Sequence, residues 1–242
     1  MPAQDADRID SFVVALARLG CRTDGTLAYE AHAGSAFILQ ADDGCLAMTA
    51  GHVADTLVIG EHAAMLVDAD GKWRAAAIVD IQKHPTQDVA VLRLEPGNYA
   101  SPFTFGRTQE HASLDYTLWG YPEAVLYDSG AMDGFRRLPR PEMVFSRGHI
   151  RRRISRPLER NDIRGNRFFE LSTPAGGGCS GAPVLSVRPG RHWEVIGVYV
   201  GEWYSIRGGS DGIVDVAVGY AVRVADLDLD APDWTPLFDS PR

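Results

Sequence analysis

The sequence predicts an all-β protein, a barrel or a sandwich, behind a single N-terminal helix. After Gly25 the 242-residue chain breaks into ten short runs that are continuously apolar or alternate with period two. Gly, Pro, Asp or Asn punctuates most of them, at the roughly 8–12-residue spacing of all-β folds. No internal repeat and no coiled-coil heptad disturbs the pattern.

The elements follow in chain order. Residues 7–20 (DRIDSFVVALARLG) put Ile9, Phe12, Val13, Leu16 and Leu19 on one helical face, with Gly20 as a stop. Strands are expected at 35–40, 45–50, 63–67, 74–81, 88–94, 116–121, 167–172, 182–187, 193–200 and 218–224. Residues 122–166 are poor in strand signals and rich in Pro, Gly, Asp and Arg, and eight arginines fall within 147–167. They read as a solvated face, as a docking patch for an acidic partner, or as an exposed loop open to cleavage. Part of 127–165 is expected to be poorly ordered until a partner or substrate binds. The alternative seats Arg151, Arg152 and Arg153 on a strand, with Ile150 and Ile154 toward the core and the arginines solvated. The chain from Asp226 onward is acidic.

Composition narrows the function classes. A hydrophobic fraction of 45% with 23% charged residues is ordinary for a globular protein. The formal net charge of -8 argues against a general nucleic-acid binder. Three cysteines, Cys21, Cys45 and Cys179, are too few and too irregular for a disulfide framework. Residues 1–11 lack a secretory leader, and no apolar run approaches membrane-spanning length. The chain is therefore expected to be cytoplasmic, with no membrane or nucleic-acid partner. None of the seven histidines forms an H-E-x-x-H spacing, so neither a metal nor another cofactor is expected.

Three segments carry chemistry. The first is Gly176-Gly177-Gly178-Cys179-Ser180-Gly181-Ala182-Pro183. A serine needs a base to become nucleophilic, and its acyl transition state needs donors aimed at the oxyanion. Flanking glycines allow a tight turn that presents N–H groups, although a glycine-rich hairpin would read the same way. The second segment is Thr49-Ala50-Gly51-His52-Val53, where a histidine just past a buried strand can serve as general base. The third is Gln87-Asp88-Val89-Ala90-Val91-Leu92, where an aspartate opening a strand can orient an imidazole. Alone, His52 reads as a capping or core histidine and Asp88 as a loop acid. Together they stand in the order His, Asp, Ser, which separates them from subtilisin-like and α/β-hydrolase arrangements.

These segments resemble the trypsin-like, chymotrypsin-fold serine proteases, of bacterial type. T-A-G-H-V, D-V-A-V-L-R-L and G-C-S-G-A-P match that family's three catalytic segments, and residues 194–201 and 219–224 resemble its later strands. The resemblance covers roughly residues 34–230. It implies two antiparallel six-stranded β-barrels with the active site between them, at about 25–112 and 113–228, and a short C-terminal helix with an acidic tail over 229–242. It also implies His52, Asp88 and Ser180 as a catalytic triad, with the N–H groups of Gly178 and Ser180 as oxyanion hole. The substrate pocket it implies draws on Pro174, Ala175, Tyr199, Val200, Gly201, Glu202 and Gly219. Proteins or peptides would be the substrates, cut through an acyl-enzyme intermediate as limited proteolysis of intracellular proteins, with a possible activating partner. The contrasting expectation is a catalytically silent binding module on the same fold.

Departures from the family pattern matter. Cys179 stands where digestive relatives carry the aspartate that pairs with a new N-terminus, so activation of that kind is not expected. By register Ser180, not Cys179, is the nucleophile; a lowered thiol pKa at Cys179 would make the site oxidation-sensitive. Pro174 occupies the position of the trypsin pocket acid and Tyr199 that of a histidine that reads glutamate, so neither specificity transfers. Glu202 or an acid in 211–215 remains as a selector for a basic residue.

Overall fold

The computed structural model describes residues 9–21, 23, 27–39, 45–67, 72–97, 99, 101–107, 110–123, 126–127, 140–160, 162–191, 193–206 and 214–227. Six strands close the first barrel: β1 (Val13–Cys21), β2 (Leu27–Leu39), β3 (Leu46–Ala50), β4 (His62–Val67), β5 (Trp73–Lys83) and β6 (Val89–Leu94). Their order around the barrel is β1-β2-β3-β6-β5-β4, all antiparallel.

Two short strands, β7 (Thr104–Phe105) and then β8 (Asp115–Gly120), lead into the second half. A two-stranded pair, β9 (Leu126–Tyr127) with β10 (Arg140–Pro141), precedes β11 (Val144–Ile154), β12 (Phe168–Leu171), β13 (Pro183–Ser186), β14 (Glu194–Ile206) and β15 (Val214–Arg223). The order β13-β8-β11-β12-β15-β14 closes through a β13–β14 pairing into a second six-stranded barrel, and β7 adds to β14 in parallel. The fold is thus the all-β, two-barrel architecture that the strand pattern and the motifs led us to expect.

The N-terminal helix is a correction. Residues 9–11 make one 3-10 turn, and Val13–Cys21 is a strand that closes the first barrel between β2 and β4. The helical spacing of Phe12, Val13 and Leu16 was coincidental. Val13, Val14, Ala15, Leu16 and Ala17 are all fully buried, on both faces of the ribbon. An unbroken apolar run with paired β-branched residues fits a strand covered on both sides, and barrel closure outweighs weak local helix preference. The first barrel therefore opens at Val13 rather than near residue 25.

The arginine-rich segment is partly strand. In β11, Ile150 and Ile154 are buried while Arg151 and Arg152 face solvent, which is the solvated-strand alternative. Residues 128–139 of the segment expected to be poorly ordered lie outside the described residues. After β15 the chain makes a 3-10 turn over Val224–Asp226. The expected C-terminal helix and acidic tail, from residue 228 on, also lie outside the described residues.

An aromatic joint holds the barrels together. Phe103, in the connection between them, meets Phe37 of β2 edge-on at 5.6 Å and Trp193 at 5.9 Å. Phe12 completes the group against both Phe103 and Trp193. Such edge-to-face contacts add to burial and have directional preference, which fixes how the barrel ends face each other.

Candidate active site

The register of β3 on β6 brings two of the singled-out residues together. Ala50, the last residue of β3, pairs with Val89, the first of β6. The chain beyond Ala50 enters a one-turn helix, Gly51–Ala54, carrying His52, and Asp88 lies one residue before Val89. Two residues far apart in sequence thereby meet at one end of adjacent strands. Asp88 is 0% exposed and holds His52 with both oxygens. Its Oδ1 accepts the His52 backbone N–H at 2.8 Å, and its Oδ2 lies 2.6 Å from His52 Nδ1. A carboxylate facing Nδ1 requires the proton there, which leaves Nε2 as the basic nitrogen.

Ser180 lies on a loop that only glycines can form. Gly178 and Gly181 have φ of +91° and +94°, in the left-handed region. A Cβ on Gly181 would also fall 1.9 Å from the Ser35 carbonyl oxygen. That close approach anchors the loop, because Ser35 of β2 donates its N–H to the Ser180 carbonyl at 2.8 Å. The Ser35 hydroxyl donates to the Gly178 carbonyl at 3.0 Å and accepts the Tyr121 N–H at 2.9 Å. Thr49 Oγ1, three residues before His52, donates to the Ser35 carbonyl at 2.7 Å. The strand that seats Ser180 is therefore pinned to the strand that launches His52. The Ser180 hydroxyl itself makes no hydrogen bond among the described residues, and in resting sites such contacts often tighten only with substrate.

Two backbone donors stand free beside it. The Gly177 carbonyl accepts the Glu123 N–H at 2.8 Å, and the Cys179 carbonyl accepts the Ala182 N–H at 2.9 Å. In a trans peptide the N–H points opposite to the carbonyl. The N–H groups of Gly178 and Ser180 are thus turned away from those partners, and neither donates to any group among the described residues. Free N–H donors of this kind are what an oxyanion site requires. His32 Nε2 lies 3.1 Å from the Gly178 carbonyl, and burial holds the His32 pKa below its ordinary value. A neutral imidazole can donate that Nε2 proton and steady the Gly178–Cys179 peptide that lies between the two donors.

The residues expected around the substrate pocket form a network next to this loop. Tyr199, buried in β14, accepts the Ala175 N–H at 3.0 Å and donates to Glu202 Oε2 at 3.1 Å. The same oxygen accepts the Gly176 N–H at 2.9 Å. Gly219 of β15 pairs with Glu202, and a Cβ there would fall 2.8 Å from the Tyr199 ring. Pro174 precedes this group in the connection from β12, and Gly201 turns the strand at φ +136°. Val200 packs instead into the apolar cluster shared by the barrels. Of the two acids in 211–215, Asp211 lies outside the described residues and Asp215 stands in β15.

Cys179 departs from the oxidation-sensitive expectation. Its thiol is buried, donates to the Ala175 carbonyl at 3.2 Å, and is pushed up to a pKa of about 12 by burial and then by the Glu202 charge. It stays protonated and unreactive at neutral pH.

Sequence reasoning missed His32, Ser35 and Glu123, and it quoted Thr49 in the His52 segment without its bond to Ser35. Ser35 and Thr49 left a trace, as hydroxyls in the mostly apolar runs SAFILQ and CLAMTA. His32 and Glu123 left none. Across the cleft, Arg164 reaches Asp55 at 3.4 Å and Asn166 bonds Gln87, so the 160–166 loop joins the barrels beside His52 and Asp88.

Known proteins carry the same framework. A family model described as trypsin-like peptidase domain matches residues 34–198. The active form of the Rv3671c protease from M. tuberculosis superposes with a TM-score of 0.57 at 18% identity, covering 100% of this chain and 86% of that one. The HtrA-type protease AlgW with a decapeptide gives 0.59 at 16% identity, covering 91% of this chain and 63% of that one. The MamO protease domain of Magnetospirillum magneticum gives 0.57 at 14% identity, covering 90% and 94%. At these identities the likeness is one of fold. No curated protein sequence matches the chain.

Proposed function

Since this chain belongs to the trypsin-like peptidase domain family, we propose that it is a serine endopeptidase with His52, Asp88 and Ser180 as its triad. The carrying observation is the two-oxygen grip of buried Asp88 on His52. In this scheme His52 Nε2 takes the Ser180 proton as Oγ bonds to the scissile carbonyl carbon. The carbonyl π electrons move onto the oxygen, which the Gly178 and Ser180 N–H groups receive. Collapse of the tetrahedral species breaks the C–N bond, and His52 returns its proton to the leaving amine, giving the acyl-enzyme. Water then repeats the sequence in reverse order, and the acid product leaves with Ser180 restored. Asp88 stays ionised and stabilises the imidazolium.

The substrates in this proposal are a limited set of intracellular proteins. The odd, sparse cysteine set supports a reducing compartment. Cys179, a neutral buried thiol, has no charge to pair with a newly cut N-terminus, so control by a partner or by regulated synthesis replaces zymogen cleavage. Mapping of new protein N-termini in cells expressing the wild type or Ser180→Ala tests the proposal. Cleavages present only with wild type support it. Identical cleavage maps contradict it and favour a silent binding module.

A further inference from the structure

A cavity lies apart from the residues assigned to catalysis. It is a groove of about 580 Å³ on the second barrel, framed by β11, β12, β14, β15 and the 156–160 connection. Arg151, Arg152, Arg156 and Arg160 line it, and Trp203 and Tyr220 contribute aromatic surface. Trp203 is 46% exposed, an unusual state for a tryptophan on a strand.

The groove is positive on a protein that is not. The chain carries a net charge of -8, yet residues 147–167 hold eight arginines against two acids, Glu159 and Asp162. Asp162 forks onto Arg160, and the other three guanidiniums of the groove, Arg151, Arg152 and Arg156, face two carboxylates, Glu159 and Glu170. Glu170, 5% exposed, takes both Arg151 at 3.3 Å and Arg152 at 2.6 Å, which leaves one positive charge over in that trio. Arg156 meets Glu159 only at 3.8 Å, and Glu159 lies almost wholly in solvent. So exposed a pair contributes little and yields readily to a better partner. Guanidiniums around an exposed tryptophan suit carboxylates interspersed with an apolar side chain, through forked hydrogen bonds and aromatic burial.

The groove also adjoins the substrate side of the cleft. Trp203 follows Glu202 directly on β14, so the strand presents one residue to the loop before Ser180 and the next to the groove. Arg160 joins the two by donating from Nη1 to the Glu202 carbonyl at 2.5 Å.

We propose that the groove is an exosite for an acidic segment of the protein substrate, carrying an apolar residue among its carboxylates. The inference rests on the peptidase reading of the neighbouring cleft. Its test does not need turnover: full-length Ser180→Ala is titrated with a short fluorescent peptide of Asp and Glu around a central Leu, and with its Asn/Gln counterpart. The acidic peptide should bind at least about tenfold more tightly, and the preference should fade at high salt as screening shortens. Arg156→Glu and Trp203→Ala, both at exposed positions, should each weaken binding about fivefold or more with unchanged thermal midpoints. Equal affinity for the two peptides, or unchanged binding in both variants, overturns the proposal. So does tighter binding of a single-stranded oligonucleotide than of the peptide. Marked tightening in the triple variant Asp228→Asn, Asp230→Asn, Asp233→Asn also overturns it, by assigning the groove to the chain's own acidic tail. Failure of the peptidase reading would appear separately, as a wild-type enzyme with no reactive serine.

Discussion

At the residue scale, everything turns on how few groups do the chemistry and how many hold them. Asp88 is buried with both oxygens committed to His52. Asp88→Asn keeps the shape but offers an N–H where Nδ1 carries its proton, so the imidazole adopts the wrong tautomer. Turnover should fall about 10⁴-fold in steady-state kinetics; a near-normal rate would assign orientation to another acid. Cys179 gives a pH prediction with a definite sign. Its raised pKa, about 12, means that the thiol is neutral in the folded protein over the whole range in which a free cysteine becomes thiolate. Iodoacetamide at pH 8 should therefore leave Cys179 unmodified in the native state and alkylate it once the protein is unfolded. Rapid native alkylation would contradict the burial that causes the shift.

At the scale of elements, the glycine loop and β14 form one device. Glu202 accepts from Gly176 N–H and Tyr199 O–H, and so braces the segment that leads to Gly178 and Ser180. Glu202→Ala strands both donors and lets the loop drift. A displacement of about 1 Å at this distance costs on the order of 10²-fold in kcat. Glu202→Gln keeps an acceptor oxygen and should retain most of the rate. Equal losses in the two variants would show that charge, not the acceptor, matters. Gly181→Ala forces a side chain into left-handed backbone against the Ser35 carbonyl. It should lower stability by at least about 1–3 kcal/mol in chemical denaturation. The ten strands were legible in the sequence because each pairs an apolar or alternating run with turn residues. β1 was not, since Val13–Ala17, buried on both faces, has no period of its own, and Phe12, Val13 and Leu16 fell by chance on helical spacing. β11 was half hidden by its arginines. His52, Asp88 and the Ser180 loop were legible as local motifs. Their supports were not, because Ser35 and His32 act on Gly178 across 143 and 146 residues of chain, and nothing local records such a meeting.

At the scale of the molecule, the cleft exists only while two barrels keep their relative pose. The first supplies His52 and Asp88, the second Ser180, and the joint of Phe12, Phe37, Phe103 and Trp193 lies between them. Phe103→Ala should destabilise the protein by about 3–5 kcal/mol, with both barrels lost in a single transition. Two resolved transitions would mean that the barrels fold independently of the joint. The central claim is that this two-barrel frame activates one serine. Its most direct test is labelling of the purified protein with a fluorophosphonate, followed by mass spectrometry of the modified peptide. The scheme predicts a single adduct on Ser180, abolished in His52→Ala and absent from Cys179. An unlabelled wild-type protein, or an adduct that persists without His52, would contradict it.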